Sequence, residues 1–210
     1  MTIACFHTAA SNVAVFDEAA HSLALPATRL SHLVMPHWLA EAEKSGGMTA
    51  DQQARLAQLL HSLTPFFEAI LITCSTLGPV AEAFSGSACP VLRTDKIVAD
   101  ALRARPGRSV VLCAAESTLA ATTALFCPPD LPPEQHPAVQ LIPGAWAAFK
   151  AGNQARYLSL VTEAAQQAYQ QGAENVALAQ VSMTPAVRGF PPSRRPLTSP
   201  HLALQHCLNR

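Results

Sequence analysis

The sequence predicts an α/β fold made of two pseudo-symmetric parallel-sheet halves. Three observations carry this. Short, unbroken apolar runs alternate with longer amphipathic ones, the pattern of strands and covering helices. Strand ends recur at a constant half-chain spacing. And half of the 210 residues are apolar while only 13% are charged, against about 25% charged in an average chain. That composition supplies a full core and excludes disorder for the bulk of the chain.

Taken in order, the strand candidates are Thr2–Phe6, His32–Met35, Ala69–Thr73, Ser109–Cys113, Val139–Ile142 and Asn175–Ala179. Each is short and β-branched or apolar, as a strand covered on both faces should be. The helix candidates lie between them. Residues 49–62 begin with Thr49 and Asp51 as caps and put Leu56, Leu59, Leu60 and Leu63 on one face. Residues 95–104 stop before Pro106-Gly107, and residues 119–126 before Pro128-Pro129. Residues 151–171 stop at Gly172. The proline-rich last 25 residues read as a wrapping tail with one short helix, 201–208. The halves divide at residues 1–105 and 106–210, with part of the tail packing back on the first half.

The spacing is the stronger signal. ILITCSTLGP (70–79) and VALAQVSMTP (176–185) are offset by 106 residues. Thr2–Phe6 and Ser109–Cys113 are offset by 107, as are Met35-Pro36 and Ile142-Pro143. A duplicated β-α-β-α-β unit accounts for all three. In parallel sheets ligands bind beyond the carboxyl ends of strands, beside helix N-termini. Two such halves predict one site in the cleft between them. The residues that follow the strands are then its lining: His7, Thr8, Ser11 and Asn12; Cys74, Ser75 and Thr76; Ser117 and Thr118; Gln180 and Ser182. Hydroxyls, amides and one thiol suit a small carboxylate or amino-acid-like ligand. Among six scattered cysteines, Cys74 stands at a strand end and a helix start, where a thiolate is favoured. The other five read as buried structural residues. Asp95-Lys96 reads as a helix opening, and Trp38 and Trp146 as packing anchors.

Several classes are excluded. Lys+Arg and Asp+Glu balance at 14 each, so no field would recruit nucleic acid or an anionic membrane. No apolar run approaches the roughly 18 residues a membrane span needs. The first residues carry no basic flank and meet Asp17 and Glu18 early, unlike a secretory signal, so a cytoplasmic location is expected. No glycine-rich phosphate loop and no G-x-S-x-G elbow is present. No Cys/His spacing suits zinc, so no metal is expected.

HLVMPHWLAEA, ITCSTLGP, VLRTDKIVADAL, VVLCAAESTLAATTAL, the strand entering AQVSM, and LTSPHLAL together resemble the aspartate/glutamate/hydantoin racemase superfamily, which also holds arylmalonate decarboxylase and maleate isomerase. The resemblance spans nearly the whole chain. It implies two flavodoxin-like halves and cofactor-independent chemistry, in which one cysteine removes an α-proton and a second returns it. Cys74 matches the first cysteine; Thr76 and Thr118 match positions that hold carboxylate oxygens. The second cysteine is replaced by Gln180, with Ser182 two residues on. An amide cannot exchange a proton near neutral pH. The expectation is therefore an enzyme doing Cys74-based proton transfer at the α-carbon of a small carboxylate, as racemase, isomerase or one-base decarboxylase. A carboxylate-binding protein without turnover, and a hydrolase or lyase with Cys74 as covalent nucleophile, are the alternatives. A homodimer is compatible with the sequence.

Overall fold

The computed structural model describes residues 2–209. Its seven strands form two wholly parallel sheets, as the alternating pattern predicts. Strands β1 (Ile3–His7), β2 (Leu30–Val34), β3 (Ala69–Ile72) and β4 (Val91–Arg93) lie in the order β2-β1-β3-β4. Strands β5 (Ser109–Cys113), β6 (Ala138–Leu141) and β7 (Asn175–Leu178) lie in the order β6-β5-β7. The repeat is visible in the pairing. Ile3 stands beside Ala69, and Val110 beside Val176, so both partners shift by 107 residues.

The chain divides into two compact units, Met1–Asp95 with Pro200–Arg210, and Lys96–Ser199. Helix α4 (Thr94–Arg103) thus groups mostly with the second unit. In the first unit, helices α1 (Ser11–Ser22), α2 (His37–Lys44) and α3 (Ala50–Leu63) surround the sheet connections. Thr49 caps α3 through a capping box with Gln52, and Leu56 and Leu60 are its buried stripe. Those leucines pack with Ala4, Phe6, Trp38, Ile70 and Ile72. Residues 3, 5 and 7 alternate with these along β1 and leave the opposite face. All five residues of β1 are buried, so both faces are covered.

In the second unit, helices α5 (Leu119–Phe126), α6 (Ala145–Lys150) and α7 (Gln154–Gln170) accompany the sheet. Tyr157, Val161, Ala165 and Ala168 of α7 pack on Val110, Leu112, Val176 and Leu178. Helix α7 starts three residues later than its periodicity suggests. Gly152 takes a positive φ of 71° and Asn153 caps the helix by accepting from the Arg156 N–H, so the chain turns there. The tail makes one strand-like bridge, Ala177 to Leu197, before helix α8 (Ser199–Leu208).

Three helices and one strand escape the periodicity. Helix α1 has no side-chain cap, α2 and α6 are 8 and 6 residues long, and β4 is three residues ending in Arg93. No helix among the described residues is long and apolar enough to cross a membrane.

Candidate active site

In the first unit the polar residues gather at the carboxyl end of β3. The chain leaves β3 through Thr73 and turns tightly, with the Cys74 carbonyl accepting from the N–H groups of Leu77 and Gly78 at 3.1 and 3.0 Å. Pro79 then opens a 3-10 helix, Gly78–Phe84. This places Cys74 at the start of a helical turn, only 8% exposed. The hydroxyls of Thr8 and Thr76 and the backbone N–H groups of Thr76 and Leu77 favour its thiolate. Burial outweighs them, and the thiol stays above its ordinary pKa. The resting group is a protonated thiol that already has four donors arranged around its sulfur.

Gly78 has a steric role in that turn. A Cβ there would stand 2.6 Å from Arg93 Nε, well inside van der Waals contact. The bare backbone lets the Arg93 side chain lie against the turn. Arg93 in turn holds Asp95 through two 3.0 Å bonds, Nε to Oδ1 and a terminal nitrogen to Oδ2. Both side chains are buried, 8% and 5% exposed. Thr94 donates to the Ile72 carbonyl at 3.2 Å, joining the ends of β3 and β4. Arg93 was not singled out by the sequence reading, because a single arginine at the end of a three-residue strand carries no periodic signal.

The remaining predicted residues of this unit separate into groups. Thr8, Asn12, Ser75 and Thr76 are buried, while Ser11 is exposed at the first position of α1. The Asn12 side-chain oxygen and the Thr76 hydroxyl have no hydrogen-bond partner of ordinary geometry within the protein. His7 lies elsewhere. It is fully buried, with Nδ1 2.8 Å from the Thr73 hydroxyl and Nε2 2.9 Å from His32 Nδ1. Burial first, and then the charge of His32, push its pKa down to about 3. Both nitrogens face other side chains, Thr73 and His32.

In the second unit, Gln180 follows β7 at the place where Cys74 follows β3. Its Oε1 accepts from the Ala114 N–H at 2.7 Å, and its Nε2 donates to the Thr118 hydroxyl at 2.8 Å. Thr118 donates onward to the Ala115 carbonyl at 2.8 Å. The amide therefore ties together the loop after β5, and the Thr118 hydroxyl is already engaged. Ser182 is buried against the Tyr157 hydroxyl at 2.8 Å. Ser117 is half-buried, and its hydroxyl has no protein partner. Cys113, closing β5, is pushed up to about 11 by burial, with Thr122 and Gln180 drawing it back. A cavity of about 710 Å³ lies at the other end of this sheet, against Arg105, Arg108 and Ser109 before and at the start of β5.

The Gln180 amide has a measurable structural share. Gln180→Ala leaves the Ala114 N–H without its acceptor. The expected loss is about 1–3 kcal/mol, the cost of a buried polar group left unsatisfied. Urea unfolding followed by circular dichroism measures it; an unchanged midpoint would mean the bond to Ala114 carries no stability.

No protein-family model matches the chain, and no curated protein matches it in sequence. Solved structures do. Glutamate racemase from Thermus thermophilus superposes with a TM-score of 0.64 at 15% identity, covering 99% of this chain and 79% of that one. Allantoin racemase from Pseudomonas fluorescens gives 0.66 at 15%, covering 100% and 90%. An arylmalonate decarboxylase variant gives 0.51 at 16%, covering 100% and 92%. The chain has the racemase fold. At these identities the likeness speaks for the racemase fold, and the chemistry has to be argued from the residues.

Proposed function

We propose that this protein is a cofactor-independent enzyme that moves a proton at the α-carbon of a small carboxylate, with Cys74 as its single acid–base group. The observation that carries the reading is the setting of Cys74: four donors converge on its sulfur while burial keeps the proton on it. Such a thiol gives its proton to a carbanion or enediolate, and the same donors then hold the thiolate that remains. Proton transfer of this kind contributes about 10²–10⁴-fold to rate. A covalent nucleophile, like a base that removes an α-proton, needs this thiol to ionise first, whereas protonation of an enediolate uses it as it rests.

The carboxylate would be held by Asn12, Ser75, Thr76 and backbone donors of the 74–78 turn. Thr76 Oγ1 supports this, because it is buried and makes no hydrogen bond of ordinary geometry within the protein, so its proton can turn from the Cys74 sulfur to a ligand. The position matching Cys74 in the repeat is Gln180, whose amide has no transferable proton near neutral pH and is bonded at both ends. Chemistry is then one-sided. Two reactions fit. In the first, a malonate-type substrate loses CO₂, the electron pair stays on the α-carbon as an enediolate, and the Cys74 proton closes it to one enantiomer. In the second, the Cys74 thiolate removes an α-proton and returns one to the same face.

Proton NMR in D₂O with small amino acids, hydantoins and substituted malonates tests this. The expected result is deuterium at the α-carbon with retained configuration, or decarboxylation to a single enantiomer. Inversion at an enzymatic rate would require a second acid–base group and would overturn the one-base reading. Saturable binding of these carboxylates without any exchange would point to a binding protein instead.

A further inference from the structure

On the face of β1 opposite the Ala4 and Phe6 core lies a cluster that the proposed chemistry does not use. Cys5 and His7 are two residues apart on β1 and project to the same face. His32 of β2 is the register partner of Cys5, which brings it to that face as well. One ligand-type atom from each of Cys5, His7 and His32 lies within 4.8 Å of the other two. Cys5 and His7 are fully buried.

The hydrogen bonds around the two rings determine where their protons sit. The Thr73 hydroxyl gives its one proton to the Phe6 carbonyl at 2.9 Å. It must therefore accept from His7 Nδ1–H, at 2.8 Å. The Asp17 carboxylate, 3.1 Å from His32 Nε2, is also an acceptor. Both outer nitrogens are thus donors. In neutral imidazoles the inner nitrogens, His7 Nε2 and His32 Nδ1, then each present a lone pair. They stand 2.9 Å apart. The ring centroids are 5.2 Å apart with planes 18° apart, so the rings meet edge to edge rather than face to face. Two lone pairs at this distance repel unless a proton or a metal ion lies between them, and the Cys5 sulfur is within 4.8 Å of both nitrogens.

We propose that Cys5 Sγ, His7 Nε2 and His32 Nδ1 form a site for a thiophilic divalent cation of the zinc class. Zinc–nitrogen bonds of about 2.0–2.1 Å and a zinc–sulfur bond of about 2.3 Å, set tetrahedrally, need donor separations of about 3.3–3.6 Å. The nitrogen pair reaches this by opening a few tenths of an ångström, and the sulfur, within 4.8 Å of both nitrogens, by closing on them. The outer hydrogen bonds are those that metal-bound histidines make: His32 donates to the Asp17 carboxylate, and His7 to the Thr73 hydroxyl. On binding, the Cys5 thiol releases its proton to solvent and the sulfur takes the metal bond. The route in runs past His32 and Asp17, whose side chains are 17% and 53% exposed. The linear spacing shows no zinc pattern because the ligands come from neighbouring strands, 25 residues apart between His7 and His32. Such a site runs against the expectation of no metal drawn from the linear spacing.

The test is equilibrium dialysis of the full chain, first stripped with a chelator, against Zn²⁺, and a visible and near-ultraviolet spectrum of the Co²⁺ form. One tightly held Zn²⁺ per chain is expected, with a raised Tm. The Co²⁺ form should show a thiolate charge-transfer band and the intense visible bands of a tetrahedral site. Cys5→Ser should abolish the charge-transfer band. Should Cys5→Ser fail to fold, Asp17→Asn, on an exposed side chain, should still weaken metal binding about 10–100-fold through loss of the outer hydrogen bond. Cys74→Ala should bind the metal unchanged, so this result stands apart from the proposed activity. No stoichiometric Zn²⁺, or a charge-transfer band that survives Cys5→Ser, would overturn the site. A shared proton between the two imidazoles, seen as an N–H signal split between two ¹⁵N-labelled rings in a chain that binds no Zn²⁺, would also overturn it.

Discussion

Cys74→Ala is expected to lower turnover of any substrate found in the D₂O screen by about 10²–10⁴-fold, the share an acid–base group contributes. The substitution removes the proton donor and leaves the turn in place, because the turn is closed by backbone bonds from Leu77 and Gly78 to the Cys74 carbonyl. The apparent affinity for a carboxylate should therefore change little while the rate collapses, which separates loss of chemistry from loss of binding. Isotope incorporation by NMR gives the rate, and calorimetric titration gives the affinity. Exchange persisting in Cys74→Ala would remove the thiol from the mechanism.

The largest stability effect is expected at Asp95. Asp95→Ala leaves the Arg93 guanidinium buried with its carboxylate gone. Breaking a buried pair in this way costs about 3–5 kcal/mol, and the bidentate geometry and low exposure of both side chains put this pair in that class. Replacing both members removes the stranded charge, so Arg93→Met combined with Asp95→Ala should recover most of the loss. Urea denaturation of the two single variants and the double variant forms the cycle. Because Arg93 lies against Gly78, the single variant should also loosen the turn carrying Cys74 and reduce turnover. A loss below about 1 kcal/mol in Asp95→Ala would show a pair that behaves as a solvated surface ion pair.

Much of the architecture was legible in the chain. Burial on both faces writes itself as unbroken apolar runs, and six of the seven strands were visible that way. The half-chain offset was readable because duplicated units place equivalent strand ends at equal spacing, and the pairings of Ile3 with Ala69 and of Val110 with Val176 preserve it. Cys74 stood out because it follows a strand and precedes a proline-marked turn. Other features left no such trace. A three-residue strand such as β4 has no period, and an uncapped helix such as α1 has no start signal.

What only the tertiary structure decided is which polar groups are already spent. From sequence, His7, Thr118, Gln180 and Ser182 all belonged to one polar lining. In the fold, His7 faces Thr73 and His32, Gln180 is bonded through both ends of its amide, Thr118 to Gln180 and Ala115, and Ser182 to Tyr157. A hydrogen bond depends on which strand lies beside which and in what register. The order of side chains along a chain does not contain that information. The same holds for Cys5, His7 and His32, which share one face only because β1 and β2 pair with Cys5 opposite His32. It holds for Cys74 as well. Its position at a strand end was a matter of sequence, but whether its sulfur keeps a proton is set by burial against four converging donors, and those come from two separate strand ends brought side by side.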